Sequence, residues 1–133
     1  MQHEVHYDRE AGVVFVRYGE KLNKEIVLGA SKELNAIPDL KKGTPVLVDF
    51  RVCVDINISS EDTREVAKFM ARNHEKRGFY RIAQLVSSQF MFATSRMTTA
   101  TLDPDKFEMM VFQDETEAKK WLGLPADLQL PYE

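Results

Sequence analysis

Apolar and polar positions follow two rhythms along this chain, a strand-like alternation and a helical spacing of three and four, and the switches between them place the elements. Residues 5–8 and 12–18 are β-rich runs joined by Arg9-Glu10-Ala11, with Gly12 suited to a turn, which predicts an antiparallel hairpin. Asn23 then offers a helix cap, and Ile26, Ala30, Leu34 and Ile37 follow at helical spacing as a stripe facing the sheet. Pro38 pushes its predecessor out of helical geometry, so this helix should stop within residues 35–37.

Val46-Leu47-Val48 shows no polar alternation, as expected of a central strand covered on both faces. Ser59 with Asp62 three residues on reads as a capping signal for a second helix reaching toward Gly78, with Val66, Phe69, Met70 and Asn73 on one face. Residues 81–86 predict a further strand, and Ser87 or Ser88 opens a helix through about residue 101, with Phe90, Ala93, Thr94, Met97 and Ala100 as its inward stripe. Asp103-Pro104-Asp105 breaks the chain. Residues 107–112 form the last strand, and Asp114 with Glu117 begins a helix that carries Ala118, Trp121 and Leu122 and ends at Gly123 and Pro125. The predicted order is ββαβαβαβα, an α/β fold with a mixed sheet in which helices supply the crossovers between parallel strands. With no repeat and no long linker, residues 1–133 read as one domain.

Composition narrows the classes of partner. With 44% hydrophobic and 29% charged residues the chain is an ordinary folded protein, and a net charge of −3 does not suit a nucleic-acid partner. Lys68, Arg72, Lys76 and Arg77 are interleaved with Glu61, Asp62, Glu65 and Glu75, which predicts a solvated helix face. The lone Cys53 excludes an intrachain disulfide and fits a reducing compartment. The amino terminus lacks a secretion signal, and no apolar stretch approaches the roughly 20 residues that span a bilayer. A cytoplasmic location is expected.

Candidate chemistry is sparse. His3 and His6 should project to opposite faces of a strand, and His74 near a helix end has no second ligand placed in sequence, so no metal site is expected. Cys53 has only Arg51 as a basic neighbour to lower its pKa, and Asp49 at a strand end suits the anchoring of loop amides. A pairing of Asp49 with Asp55 needs a convergence that sequence does not supply. Phosphate loops and G-x-G-x-x-G are absent, and no cofactor or catalytic residue is expected.

The opening strand pair, Asn23, Pro45-Val46-Leu47-Val48-Asp49-Phe50, Arg81-Ile82-Ala83-Gln84-Leu85-Val86 and the terminal run from Val111-Phe112-Gln113-Asp114 to Lys120-Trp121-Leu122 together resemble the SpoIIAA-like proteins, a branch of the STAS group related to anti-sigma factor antagonists. The resemblance implies a STAS-like mixed sheet and a non-enzymatic module that binds a protein partner. It also implies a phosphorylation switch at a serine opening the helix after the central strand, where Ser59 and Ser60 stand. The flanking Asp55-Ile56-Asn57-Ile58 departs from the compact Asp-Ser-Ser-Gly type, and Glu61 and Asp62 oppose an added phosphate, so helix capping is the plainer role.

The SpoIIAA-like branch is also grouped with CRAL-TRIO-type lipid-binding domains. With Phe90 and Met97 inward, Met91 and Phe92 leave that helix apolar over more of its circumference than one interface needs. A neighbouring helix, a dimer partner or an apolar ligand can cover the excess. The expectation is a non-catalytic module acting through protein association, including a homodimer, by the loop 52–60 and the helix bearing Met91 and Phe92. The alternative is a carrier or sensor of a small hydrophobic ligand such as a lipid, in a cavity bounded by Phe90, Met97 and Phe107.

Overall fold

A computed structural model describes residues 2–73, 77–88 and 105–132. The hairpin forms as expected: β1 (His3–Asp8) runs antiparallel to β2 (Val13–Tyr18), and the Gly12 amide donates to the Asp8 carbonyl at 2.8 Å with φ at +70°, a conformation that favours glycine. Two short strands absent from the predicted order follow their own pairing. β3 (Lys21–Asn23) and β5 (Asp55–Asn57) form a two-stranded parallel ribbon apart from the main sheet, with Leu22 opposite Ile56.

Helix α1 (Lys24–Asn35) starts where Asn23 Oδ1 accepts the Ile26 amide at 2.9 Å, and its stripe of Ile26, Ala30 and Leu34 is buried. Strand β4 (Val46–Asp49) is the centre of a five-stranded sheet ordered β1-β2-β4-β6-β7, flanked in parallel by β2 and by β6 (Tyr80–Leu85). Helix α2 (Ser60–Arg72) bridges β4 and β6 with Asn73 as its cap; of the predicted reach toward Gly78, residues 74–76 lie outside the described residues and Arg77 is helical. Gly78, at φ +66°, follows the helical Arg77 and precedes β6. β7 (Phe107–Phe112) completes the sheet in parallel with β6, and α3 (Glu115–Leu122) runs from an Asp114 cap to Gly123 in the left-handed conformation. The predicted helix over 87–101 lies outside the described residues, apart from its first two.

Alternating side chains divide the interior. Val14, Val16, Tyr18, Val46, Tyr80 and Ile82 point toward α1, while Val13, Phe15, Leu47 and Ala83 point toward Ala118 of α3 and Leu130 of the terminal segment. Both faces of β4 are thus covered, which is why its sequence carries no alternation. Leu47 is wholly buried, and burying such a side chain contributes about 2 kcal/mol.

Candidate functional site: an apolar cavity beneath two helices

Helix α2 is amphipathic, yet none of its residues is buried. Val66, Ala67 and Met70 occupy the face turned toward the sheet, where the ordinary outcome is close packing. They line a cavity of about 370 Å³ whose floor is the sheet and whose other wall is α1, and Met70 also packs against the core. Val16, Val46, Val48, Ile82 and Met109 form the floor, Ala30 and Leu34 the α1 wall, and Phe50, Ile56 and Ile58 the end nearest the ribbon. The predicted inward stripe of α2 splits here. Val66, Met70 and Asn73 face the cavity, whereas Phe69 lies with Leu28 in a separate groove on the outer side between α1 and α2.

The polar groups in this lining are unevenly placed. Asn35, Asn73, Arg77 and Tyr80 gather at the end of the sheet where β4 and β6 begin. Arg77 is 3% exposed, so its expected place on a solvated helix face is corrected: the guanidinium is inside. Its Cζ lies 4.1 Å from the centre of the Tyr80 ring, and it donates to Asn35 Oδ1 and to the Thr44 carbonyl, both at 3.4 Å. Its Nε is buried without a hydrogen-bond partner. Burial holds the Arg77 pKa below the usual arginine value, and burial raises that of Tyr80. At the other end of β6, the side-chain oxygen of Gln84 is likewise buried and unpaired.

The remaining sequence-level candidates have structural places. The Ser59 hydroxyl accepts the Asp62 amide at 3.0 Å while the Ser59 amide donates to Asp62 Oδ2 at 3.1 Å, a complete capping box; Ser59 and Ser60 are both exposed. Phe90, Met91, Phe92, Met97 and His74 lie outside the described residues. Phe107, expected as a cavity wall, packs with Tyr80 in the core at a ring separation of 6.0 Å. His3 pairs with Glu33 at 2.6 Å on the α1 side, and His6 lies 6.4 Å from the Tyr132 ring on the opposite side, so the two are not brought together. Among the described residues no cluster of three metal-ligating side chains occurs.

Asp49 anchors its loop as expected, accepting the Arg51 amide at 2.9 Å, and it also takes the Arg51 guanidinium and the Tyr132 hydroxyl, each at 2.8 Å. Burial alone would raise its pKa, but these hydrogen bonds outweigh burial and hold the carboxyl below its usual value. Cys53 is buried, and burial together with the Asp49 charge pushes its thiol up to about 11. Arg51 is turned away into its pairs with Asp49 and Glu115.

Arg77 is the group that sequence reasoning placed wrongly, and the spacing held a signal: residues 66, 70, 73 and 77 continue one helical phase. The exposed side of the site is apolar as well. Val52, Val54 and Ile56, in and beside β5, are 38%, 78% and 46% exposed.

Searches with the sequence find neither a matching family model nor a matching curated protein. The structure is similar to that of an uncharacterized protein of the DUF3478 family with a SpoIIAA-like fold from Shewanella loihica, with a TM-score of 0.62 and 17% identity over 91% of this chain and 94% of that one. The chain therefore has a SpoIIAA-like fold, as its sequence pattern led us to expect. No helix among the described residues is long and apolar enough to cross a membrane.

Proposed function

We propose that this chain is a non-catalytic STAS-type binding module whose cavity takes up a small hydrophobic molecule. The cavity beneath α2 carries the reading: about 370 Å³ of space with mostly apolar walls, within the roughly 300–1,000 Å³ typical of small-molecule sites. An amphipathic helix held above open space leaves apolar surface that an occupant can cover. The raised thiol pKa of Cys53 and the full engagement of Asp49 support binding rather than bond-breaking. Native mass spectrometry of gently purified protein, joined to titration with the neutral fluorophore N-phenylnaphthylamine, tests the reading. We expect an apolar adduct or saturable fluorescence enhancement at one site per chain; absence of both would remove the proposal.

A second reading, association with a protein partner or a second copy, draws on the exposed Val52, Val54 and Ile56. Light scattering of the wild type and of Val54→Asp separates the two readings. A dimer dissociated by that change supports self-association, whereas an unchanged monomer that binds the fluorophore leaves the cavity as the functional feature.

A further inference from the structure

We infer that the cavity selects single-chain amphiphiles with a carboxylate head, held by Arg77. The inference rests on the cavity reading above and specifies its ligand class. Arg77 is a nearly fully buried cation with no salt bridge to a carboxylate among the described residues, in a wall that is otherwise mainly apolar. A guanidinium has five N–H donors, of which two reach protein oxygens here, both at the long distance of 3.4 Å, and Nε reaches none. Burying such a charge is costly unless an anion and further hydrogen bonds compensate it. The Tyr80 ring and the two oxygens supply part of that compensation. A carboxylate, whose two oxygens match the guanidinium fork, would supply the rest.

The dimensions of the site limit the tail. Tyr80, Ile82 and Gln84 line the cavity from alternate positions of one strand, a rise of about 13 Å that an extended chain of roughly ten carbons spans. The head lies beside Arg77 and Asn35, and the chain runs over Val46 and Ile82 toward Phe50 and Ile58. A volume of about 370 Å³ suits one chain rather than the two of a diacyl lipid. Arg77 is the only lysine or arginine among the described lining residues, which suits a singly charged head.

The test is displacement of N-phenylnaphthylamine from the full chain by decanoate and by decanol. These probes share a tail and differ in the head. We expect the wild type to prefer decanoate by roughly tenfold to a hundredfold, the worth of one charge-assisted contact. Arg77→Gln should bind both about equally, with its decanol affinity kept. Arg77→Lys, a point charge without the planar fork, should retain part of the preference. Equal wild-type affinities, or a preference that survives in Arg77→Gln, would overturn the inference while leaving the cavity reading intact. Binding of neither probe nor fluorophore by the wild type would overturn both. Should Arg77→Gln fail to fold, the wild-type comparison and Arg77→Lys still decide.

Discussion

Asp49 joins the central strand to the end of the chain. Its carboxylate receives Arg51 and Tyr132, and Arg51 continues to Glu115, which holds Lys119 at 2.7 Å, so one buried charge fixes both α3 and the terminal segment. Because its folded pKa lies below the ordinary 3.8, Asp49 contributes stability that is fully present above that value and is lost as pH falls through the folded pKa. Asp49→Asn should cost about 1–2 kcal/mol near neutral pH, since it weakens the hydrogen bonds from Tyr132 and from a partly exposed Arg51. Urea unfolding between about pH 6 and pH 2 checks both statements. The wild type should lose stability toward the acid end, and the variant should lose less of it, drawing the two curves together. Cys53 gives a second measurable outcome: with its thiol at about 11, alkylation near pH 7 should be slow in the folded chain and fast in urea. The anchoring role of Asp49 was legible from its position at a strand end. Its bond to Tyr132, 83 residues away, was not, because nothing local encodes so distant a contact.

At the scale of elements, α2 is the one whose packing departs from its pattern. Its start was legible in full, since Ser59 and Asp62 sit at the spacing of a capping box and form one. Ser59→Ala should therefore cost about 1 kcal/mol, and Ser59→Asp, which keeps an acceptor at the cap, should cost much less; thermal melts of the two variants check the order. Its apolar face was legible too. That this face borders a cavity beside the core contacts of Met70 was not, because periodicity reports which residues turn inward and not how close the opposing layer comes. Ala67 offers the direct probe. Ala67→Leu places added apolar volume in the cavity, so it should abolish fluorophore binding and raise stability by about 1 kcal/mol, as cavity-filling changes do. Overpacking would instead show as a lower melting temperature. The ribbon of β3 and β5 escaped the sequence reading for a different reason: three residues each are too few to show alternation, and each is defined only by the other.

Among the described residues, the two faces of the sheet are covered differently. On the α3 side, Phe15, Leu47, Ala83, Ala118 and Leu130 close into a core of wholly or nearly wholly buried side chains. On the α1 and α2 side, Val16, Tyr18, Val46, Tyr80 and Ile82 belong to a buried core as well, and the cavity borders that core beneath α2. The layered α/β order and the double cover of β4 could be read from hydrophobic pattern, because each layer leaves its own period in the sequence. The cavity on one side could not, and the burial of Arg77 was marked only by its helical phase with Val66, Met70 and Asn73. The asymmetry predicts opposite responses to truncation. Leu130→Ala removes a side chain with neighbours on all sides and should cost about 3 kcal/mol whether or not a ligand is present. Met70→Ala removes one that already borders space, so it forfeits fewer contacts and should cost about 1 kcal/mol in the empty protein. Ligand present at about a hundred times its dissociation constant should stabilise the wild type by about 2.7 kcal/mol. Met70→Ala should gain less at the same concentration, because its ligand contacts are weakened. The penalty for Met70→Ala therefore grows on adding decanoate while that for Leu130→Ala stays constant. Equal ligand responses in the two variants would mean that the occupant does not touch α2.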